Sequence, residues 1–134
     1  MSQITQSLAQ QGNAAASADV AVVLQNYFDA LHHADAEQMD EVFHASGIYV
    51  TADETPPLIR DKQTYLDVLR HRESPHSRGE KRKDHIDSVE FAGHNTARAR
   101  VRCSIGSKDF VDYLTLIRDG GRWQVIAKVF QMEA

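Results

Sequence analysis

Asp109-Phe110-Val111-Asp112-Tyr113-Leu114-Thr115-Leu116-Ile117-Arg118, then Asp119-Gly120-Gly121, then Arg122-Trp123-Gln124-Val125-Ile126-Ala127-Lys128-Val129-Phe130 is the stretch whose reading decides the fold. β-branched and aromatic residues crowd both arms and the centre is glycine-rich, which marks a hairpin of two antiparallel strands. The turn sets the register. A three-residue loop, Asp119-Gly120-Gly121, would put Asp112 opposite Lys128 and Phe110 opposite Phe130. A two-residue loop, Gly120-Gly121, would instead put Asp112 opposite Val129 and Lys128 opposite Tyr113. The three-residue loop is expected, because it pairs opposite charges and two aromatics across the strands. Its Arg118–Arg122 juxtaposition lies at the open end of the hairpin, where solvent screens it. Asp112 and Lys128 are therefore expected to share one face.

Upstream of the hairpin the pattern alternates. Over residues 96–105, Ala97, Ala99, Val101, Cys103 and Ile105 take one face and Arg98, Arg100, Arg102 and Ser104 the other, the period of a strand. Residues 85–91 form a further strand, joined through Ala92-Gly93-His94-Asn95. Before these strands the period is helical. Val20, Val23, Leu24, Tyr27, Phe28 and Leu31 give a helix over residues 19–34, with Ser17 or Asp19 as its cap. Asp35 and Gln38 open a second helix that buries Met39, Val42 and Phe43 and stops at Gly47. Residues 48–51 read as a short strand, and Thr55-Pro56-Pro57 as a turn. Asp61 caps a third helix reaching about His71, with Tyr65, Val68 and Leu69 inward. Residues 72–83, polar and broken by Pro75 and Gly79, read as a mobile loop. Helices first and a meander of strands last means α+β, with three N-terminal helices on one face of a strongly curved antiparallel sheet.

The 134 residues suffice for one domain with a core that needs no staples. Residues 1–17 read as a flexible tail, and residues 18–134 as the domain. A formal charge of −4 argues against nucleic acid as partner. The single Cys103 forms no internal bridge and supplies no cysteine-based zinc site; a lone thiol fits a reducing compartment, and a cytoplasmic location is expected. The start of the chain lacks a basic segment followed by an apolar run, and no apolar run approaches the roughly 20 residues of a membrane span. Membrane association is not expected.

Four stretches carry a resemblance: Tyr27-Phe28-Asp29-Ala30-Leu31 with Asp35 following, Val42-Phe43-His44, Asp112-Tyr113-Leu114-Thr115-Leu116, and residues 121–130. Their order and spacing, over about residues 19–130, resemble the nuclear-transport-factor-2-like superfamily (NTF2-like or SnoaL-like, with a cystatin-like cone), and most closely its branch labelled for lumazine binding. The resemblance implies a pocket between the concave sheet and the helices, a ring-shaped organic ligand and a homodimer formed through the sheet. It does not choose among the binding proteins, isomerases, dehydratases and adaptors that share the fold.

Within such a pocket, Asp112 is the leading candidate for an acid or base, since a carboxylate in an apolar strand is costly unless paired or hydrogen-bonded. The competing reading is a structural ion pair with Lys128. His44 is expected at the end of the second helix, either as a base at the pocket mouth or as a cap on the negative helix terminus. Tyr27, Tyr49, Tyr113, Lys128 and Phe130 are expected to contact ligand, or equally to pack as core. The Arg98, Arg100 and Arg102 row is read as a solvated face paired with acids rather than an anion site. His32 and His33 diverge by about 100° on a helix, and with His71 and His76 they offer no recognisable ligand spacing. No metal and no cofactor are expected. Three functions remain open: a small-molecule-binding protein, a cofactor-independent dehydratase or isomerase, and an interaction module with a vestigial pocket.

Overall fold

The computed structural model describes residues 2–133, with side chains described over 14–133. The tail expected over residues 1–17 falls mostly on residues whose side chains lie outside that set. Helix α1 (Ser2–His33) starts well before residue 19, so neither Ser17 nor Asp19 caps it. Its apolar stripe is as expected: Val20, Leu24, Tyr27, Phe28 and Leu31 are buried. Ala34, at a left-handed φ of 48°, ends the helix, and Asp35 N–H reaches back to the Ala30 carbonyl at 2.9 Å. Asp35 then caps α2 (Ala36–Val42) by accepting from Gln38 N–H at 3.1 Å.

Helix α2 stops earlier than expected. Phe43 is already extended, and strand β1 (Phe43–Thr51) runs on through Gly47. Gly47 is therefore no helix terminator. A Cβ there would lie 2.8 Å from Phe43 Cδ2 and 3.0 Å from the His44 carbonyl oxygen, so close approach within the strand is what requires glycine. Strand β2 (Leu58–Asp61) follows the Pro56-Pro57 turn, and Asp61 caps α3 (Lys62–Arg70) through Thr64 N–H at 2.9 Å. Tyr65, Leu66 and Leu69 are the buried face of α3; Val68 is only partly covered.

The segment after α3 carries a short 3₁₀ turn (His76–Arg78) and is tied at several points. Arg82 pairs with Asp29 of α1 at 2.6 Å, and Glu80 accepts from Gly106 N–H at 2.7 Å. Strands β3 (His85–Ala92), β4 (Thr96–Ile105), β5 (Lys108–Asp119) and β6 (Arg122–Glu133) complete a six-stranded sheet in the order β2-β1-β6-β5-β4-β3. All neighbours are antiparallel except β1 and β6. All three helices pack on one face of the curved sheet, so the fold is the α+β cone expected.

The hairpin register departs from both expected versions. Asp119 pairs with Arg122, so Gly120-Gly121 alone makes the turn. Both glycines have positive φ, 59° and 78°, which is the geometry of the two-residue turn that matches strand twist. Continued regularly, that turn would send Lys128 to the outer face. Ile126 instead stands unpaired between Leu116–Val125 and Thr115–Ala127. This β-bulge changes the parity of β6: Trp123 and Val125 face inward before it, Lys128 and Phe130 after it. Asp112 lies opposite Phe130 and Leu114 opposite Lys128, so Asp112 and Lys128 share the inner face as diagonal neighbours.

Candidate functional site

Asp112 on β5 and Lys128 on β6 are the two charged residues buried among the described core, at 1% and 6% exposure. Even-numbered residues of β5 face inward and the bulge turns the even-numbered end of β6 the same way. Helix α1 lowers Tyr27 onto them, and α3 lowers Tyr65. The Tyr27 hydroxyl donates to Asp112 Oδ2 at 2.5 Å, and the Cys103 thiol donates to the same oxygen at 3.7 Å. Lys128 Nζ donates to the Tyr65 hydroxyl at 3.3 Å. Around that ammonium stand four ring faces, those of Tyr27, Tyr49, Tyr65 and Phe130, with centroids 5.1–5.3 Å away. Each is within the range of cation–π attraction. The rings also brace one another, Tyr49 against Tyr65 at 4.6 Å and against Phe130 at 4.8 Å.

Asp112 and Lys128 do not touch as an ion pair among the described residues. Between them lies a cavity of about 30 Å³, also lined by Leu31, Arg72, Ile105 and Phe110. That is room for one or two waters. Asp112 Oδ1 has no hydrogen-bond partner, one of two buried side-chain polar atoms so placed among the described residues; Trp123 Nε1 is the other. A buried acceptor left unmet in low dielectric is costly, and Asp112, which carries it, is one wall of the void.

The electrostatics favour protonated neighbours around one carboxylate. Burial pushes the Tyr27 phenol well above its usual range, and Asp112 pushes it further. Burial, with Asp112 adding to it, pushes the Cys103 thiol up to about 12. For Lys128, burial acts to lower the pKa, but Tyr65 and Asp112 raise it and prevail. All three groups keep their protons in the folded chain at pH values where an unfolded chain sheds them. Raised pKa values stabilise the fold fully below the unfolded values, and that stabilisation is lost as pH rises. Stability to denaturant is thus expected to hold level between pH 7 and about 8.5. It should then fall from about pH 9 as these groups and the likewise raised Tyr65 phenol titrate in the unfolded chain, each adding a slope of at most about 1.4 kcal/mol per pH unit. Urea midpoints at pH 8 and pH 10.5 check this; equal midpoints would contradict it.

Other candidate residues go elsewhere. His44 is not at a helix end but in β1, where Nδ1 accepts from Ser46 N–H at 3.0 Å. Nε2 then carries the proton and donates to Asp119 Oδ2 at 2.8 Å, pinning the β5–β6 turn. Asp119 is seven residues from Asp112 along β5, a separation of up to about 23 Å, so His44 does not join the inner site. Tyr113 points to the outer face, 60% exposed, and lines an outer groove of about 440 Å³ with Arg98 and Arg100. Tyr27, Tyr49, Lys128 and Phe130 do come together on the inner face, Tyr27 against Asp112 and all three rings around Lys128. The arginine row is paired with acids: Arg98 with Glu90, Arg100 and Arg102 with Asp87.

The histidines are less scattered than the sequence implied. The rings of His32, His33 and His76 cluster, with centroids 4.5–5.6 Å apart. Among the described residues, though, no three histidine, cysteine, aspartate or glutamate side chains are arranged to hold a metal ion. Sequence reasoning passed over Phe110, Arg72 and the hydroxyl of Tyr65 as site residues. Helical spacing had placed Tyr65 inside. A phenol on an inward helix face, opposite a strand that buries a lysine, was the available signal.

Solved structures share this architecture. An NTF2-like protein of unknown function from Shewanella baltica matches with a TM-score of 0.80 at 21% identity, covering 90% of this chain and 96% of that one. Another from Silicibacter pomeroyi gives 0.77 at 18%, covering 90% and 98%. A ketosteroid isomerase-like protein from Erwinia carotovora atroseptica gives 0.70 at 14%, covering 87% and 95%. At such identities the likeness concerns the fold alone. No curated protein matches the sequence. No helix among the described residues is long and apolar enough to cross a membrane. The family model described as "Putative lumazine-binding" matches residues 15–131, from within α1 almost to the end of β6. With that span the chain belongs to the family described as "putative lumazine-binding", and its cone of helices on a curved sheet is the fold of NTF2-like proteins.

Proposed function

We propose that this chain binds a small, flat ring compound between α1, α3 and the inner sheet face, with Asp112 and Lys128 as its polar contacts, the side chains around the water-sized void moving apart to admit it. One observation supports the reading: a carboxylate with an unmet oxygen and a lysine whose ammonium makes a single hydrogen bond line the same void. A ring lactam, with N–H beside C=O, would satisfy both at once, donating to Asp112 Oδ1 and accepting from Lys128 Nζ. The aromatic walls suit a planar ring. Lumazine, named in the family description, carries such edges and is the probe of choice. Calorimetric titration with lumazine is expected to give one-to-one binding that Asp112→Asn weakens at least tenfold. The amide keeps the Tyr27 bond through its oxygen and turns N–H, the wrong polarity, into the void. Absence of binding by lumazine and simpler ring lactams to the native protein would remove the reading.

No reaction is assigned. The dehydratase or isomerase alternative would use the same free oxygen of Asp112 as its base, and turnover abolished by Asp112→Asn at unchanged melting temperature would favour it. The smallness of the void supports a second reading, an interaction role for the outer sheet face. That face exposes Tyr113, Ile48 and Val129, an apolar surface that association would cover. The occupant proposed is a second copy of this chain. Light scattering should then report a dimer at micromolar concentration, and Tyr113→Lys should yield monomer. A native protein that is monomeric under those conditions would exclude it. A cytoplasmic location is in keeping with the unbridged Cys103.

A further inference from the structure

Arg72 stands where α3 gives way to the loop that follows it. Its N–H donates to the carbonyl of the buried Leu69 at 3.2 Å, which roots the residue at the end of the helix. The side chain is half-buried and forms one wall of the void, with Asp112 and Lys128 among the others. Elsewhere arginines are matched to acids, as Arg70 is to Asp67, Arg82 to Asp29 and Arg122 to Glu41, whereas Arg72 has neither an ion pair nor a side-chain hydrogen bond among the described residues. Its charge nevertheless reaches inward. Burial raises the Tyr65 phenol, while Lys128 and then Arg72 act against that rise, so the guanidinium is felt at the hydroxyl that accepts from Lys128. The walls thus set two cations, Arg72 and Lys128, against one carboxylate, Asp112. Cys103 does not offset the excess, since its thiol, pushed up to about 12, stays protonated. Arg60 adds a further half-buried guanidinium, 5.3 Å from the centroid of the Tyr49 ring. A partly desolvated positive charge without a partner favours an anion, and a guanidinium takes a carboxylate through two parallel N–H···O bonds.

We infer that the ring compound bound here is an anion: it carries a carboxylate that Arg72 holds at the end of α3, while its ring edge meets Asp112 and Lys128. The ring rests on the binding role proposed above; the charge has its own test. Calorimetric titration at about pH 6.5, where carboxylates are ionised, compares lumazine with lumazine bearing a carboxylate at ring position 6 or 7. One of the two acids is expected to bind at least tenfold more tightly than lumazine. Arg72→Gln should reduce that preference to about threefold or less, and Arg72→Lys, which keeps the charge, should retain most of it. Native protein that binds lumazine as tightly as either acid overturns the anion and leaves the ring standing. A preference that survives Arg72→Gln intact also overturns the role of Arg72. Should Arg72→Gln melt early, Arg72→Met, which keeps an apolar stem against its neighbours, is read in its place. Where no lumazine binds, benzoate against benzamide decides. Binding of benzoate alone, lost in Arg72→Gln, removes the lactam ring and keeps the anion. Equal binding of the two removes the anion, and binding of neither removes both.

Discussion

Lys128→Met is expected to destabilise the fold by about 3–5 kcal/mol, although it preserves most of the side chain's volume. Removing one partner of a buried charge pair leaves the other uncompensated in low dielectric, and the penalty is of that order. Lys128 and Asp112 are both almost fully buried, and each lies within the electrostatic reach of the other. The substitution also removes the donor to the Tyr65 hydroxyl and the charge that attracts four ring faces. What the lysine itself contributes is separable by a double-mutant cycle. Asp112→Leu combined with Lys128→Met should recover most of the loss, because replacing both members of a buried pair with apolar groups is often near neutral. Urea denaturation of the three variants measures the coupling. A single Lys128→Met variant within 1 kcal/mol of the native protein would mean that Asp112 does not depend on it.

Tyr65→Ala should cost a similar amount, about 3–5 kcal/mol, by a different route. Tyr65 is fully buried, packing on Phe43 at 5.3 Å and Tyr49 at 4.6 Å. Truncating a buried aromatic loses its transfer free energy and leaves a cavity that the surroundings only partly fill. Here the lost volume lies against Lys128 and Tyr49, two walls of the void, so the variant is expected to enlarge the inner site as well. Denaturant midpoints read the first effect. The second is read by lumazine titration, in which affinity should change. Tyr65→Phe, which keeps the ring and removes only the acceptor for the buried Lys128 ammonium, should lose about 1.5–3 kcal/mol. A Tyr65→Phe variant as unstable as Tyr65→Ala would show the hydroxyl, not the ring, to be the main contribution.

Much of the architecture was legible in local pattern. The inward row Ala97, Ala99, Val101 and Cys103 came from strict alternation, and the buried face of α1 from helical spacing, because burial repeats with the backbone period. The Asp35 and Asp61 caps followed from side-chain chemistry acting over three residues. Legibility failed where one segment's fate depended on another. Gly47 looked like a helix stop, yet its role comes from the close approach of Phe43 and Val125. His44 looked like a helix cap, yet Asp119, 75 residues away, sets its position. Tyr113 was placed at the pocket by its aromatic character, while its parity on β5 sends it outward.

The shared face of Asp112 and Lys128 shows the division most clearly. Opposite charges in paired strands were enough to anticipate it, but the anticipated three-residue turn was not the means. Two left-handed glycines make the turn shorter, and the unpaired Ile126 restores the parity that the shorter turn would have lost. What the sequence by itself determined was which residues lie inside, since apolar periodicity is a property of one strand or helix at a time. Which inside residues meet, and that a void with an unmet carboxylate oxygen lies between them, only the tertiary structure decided. The physical reason is that a bulge, a turn and two helices must be placed together before any of those distances exists.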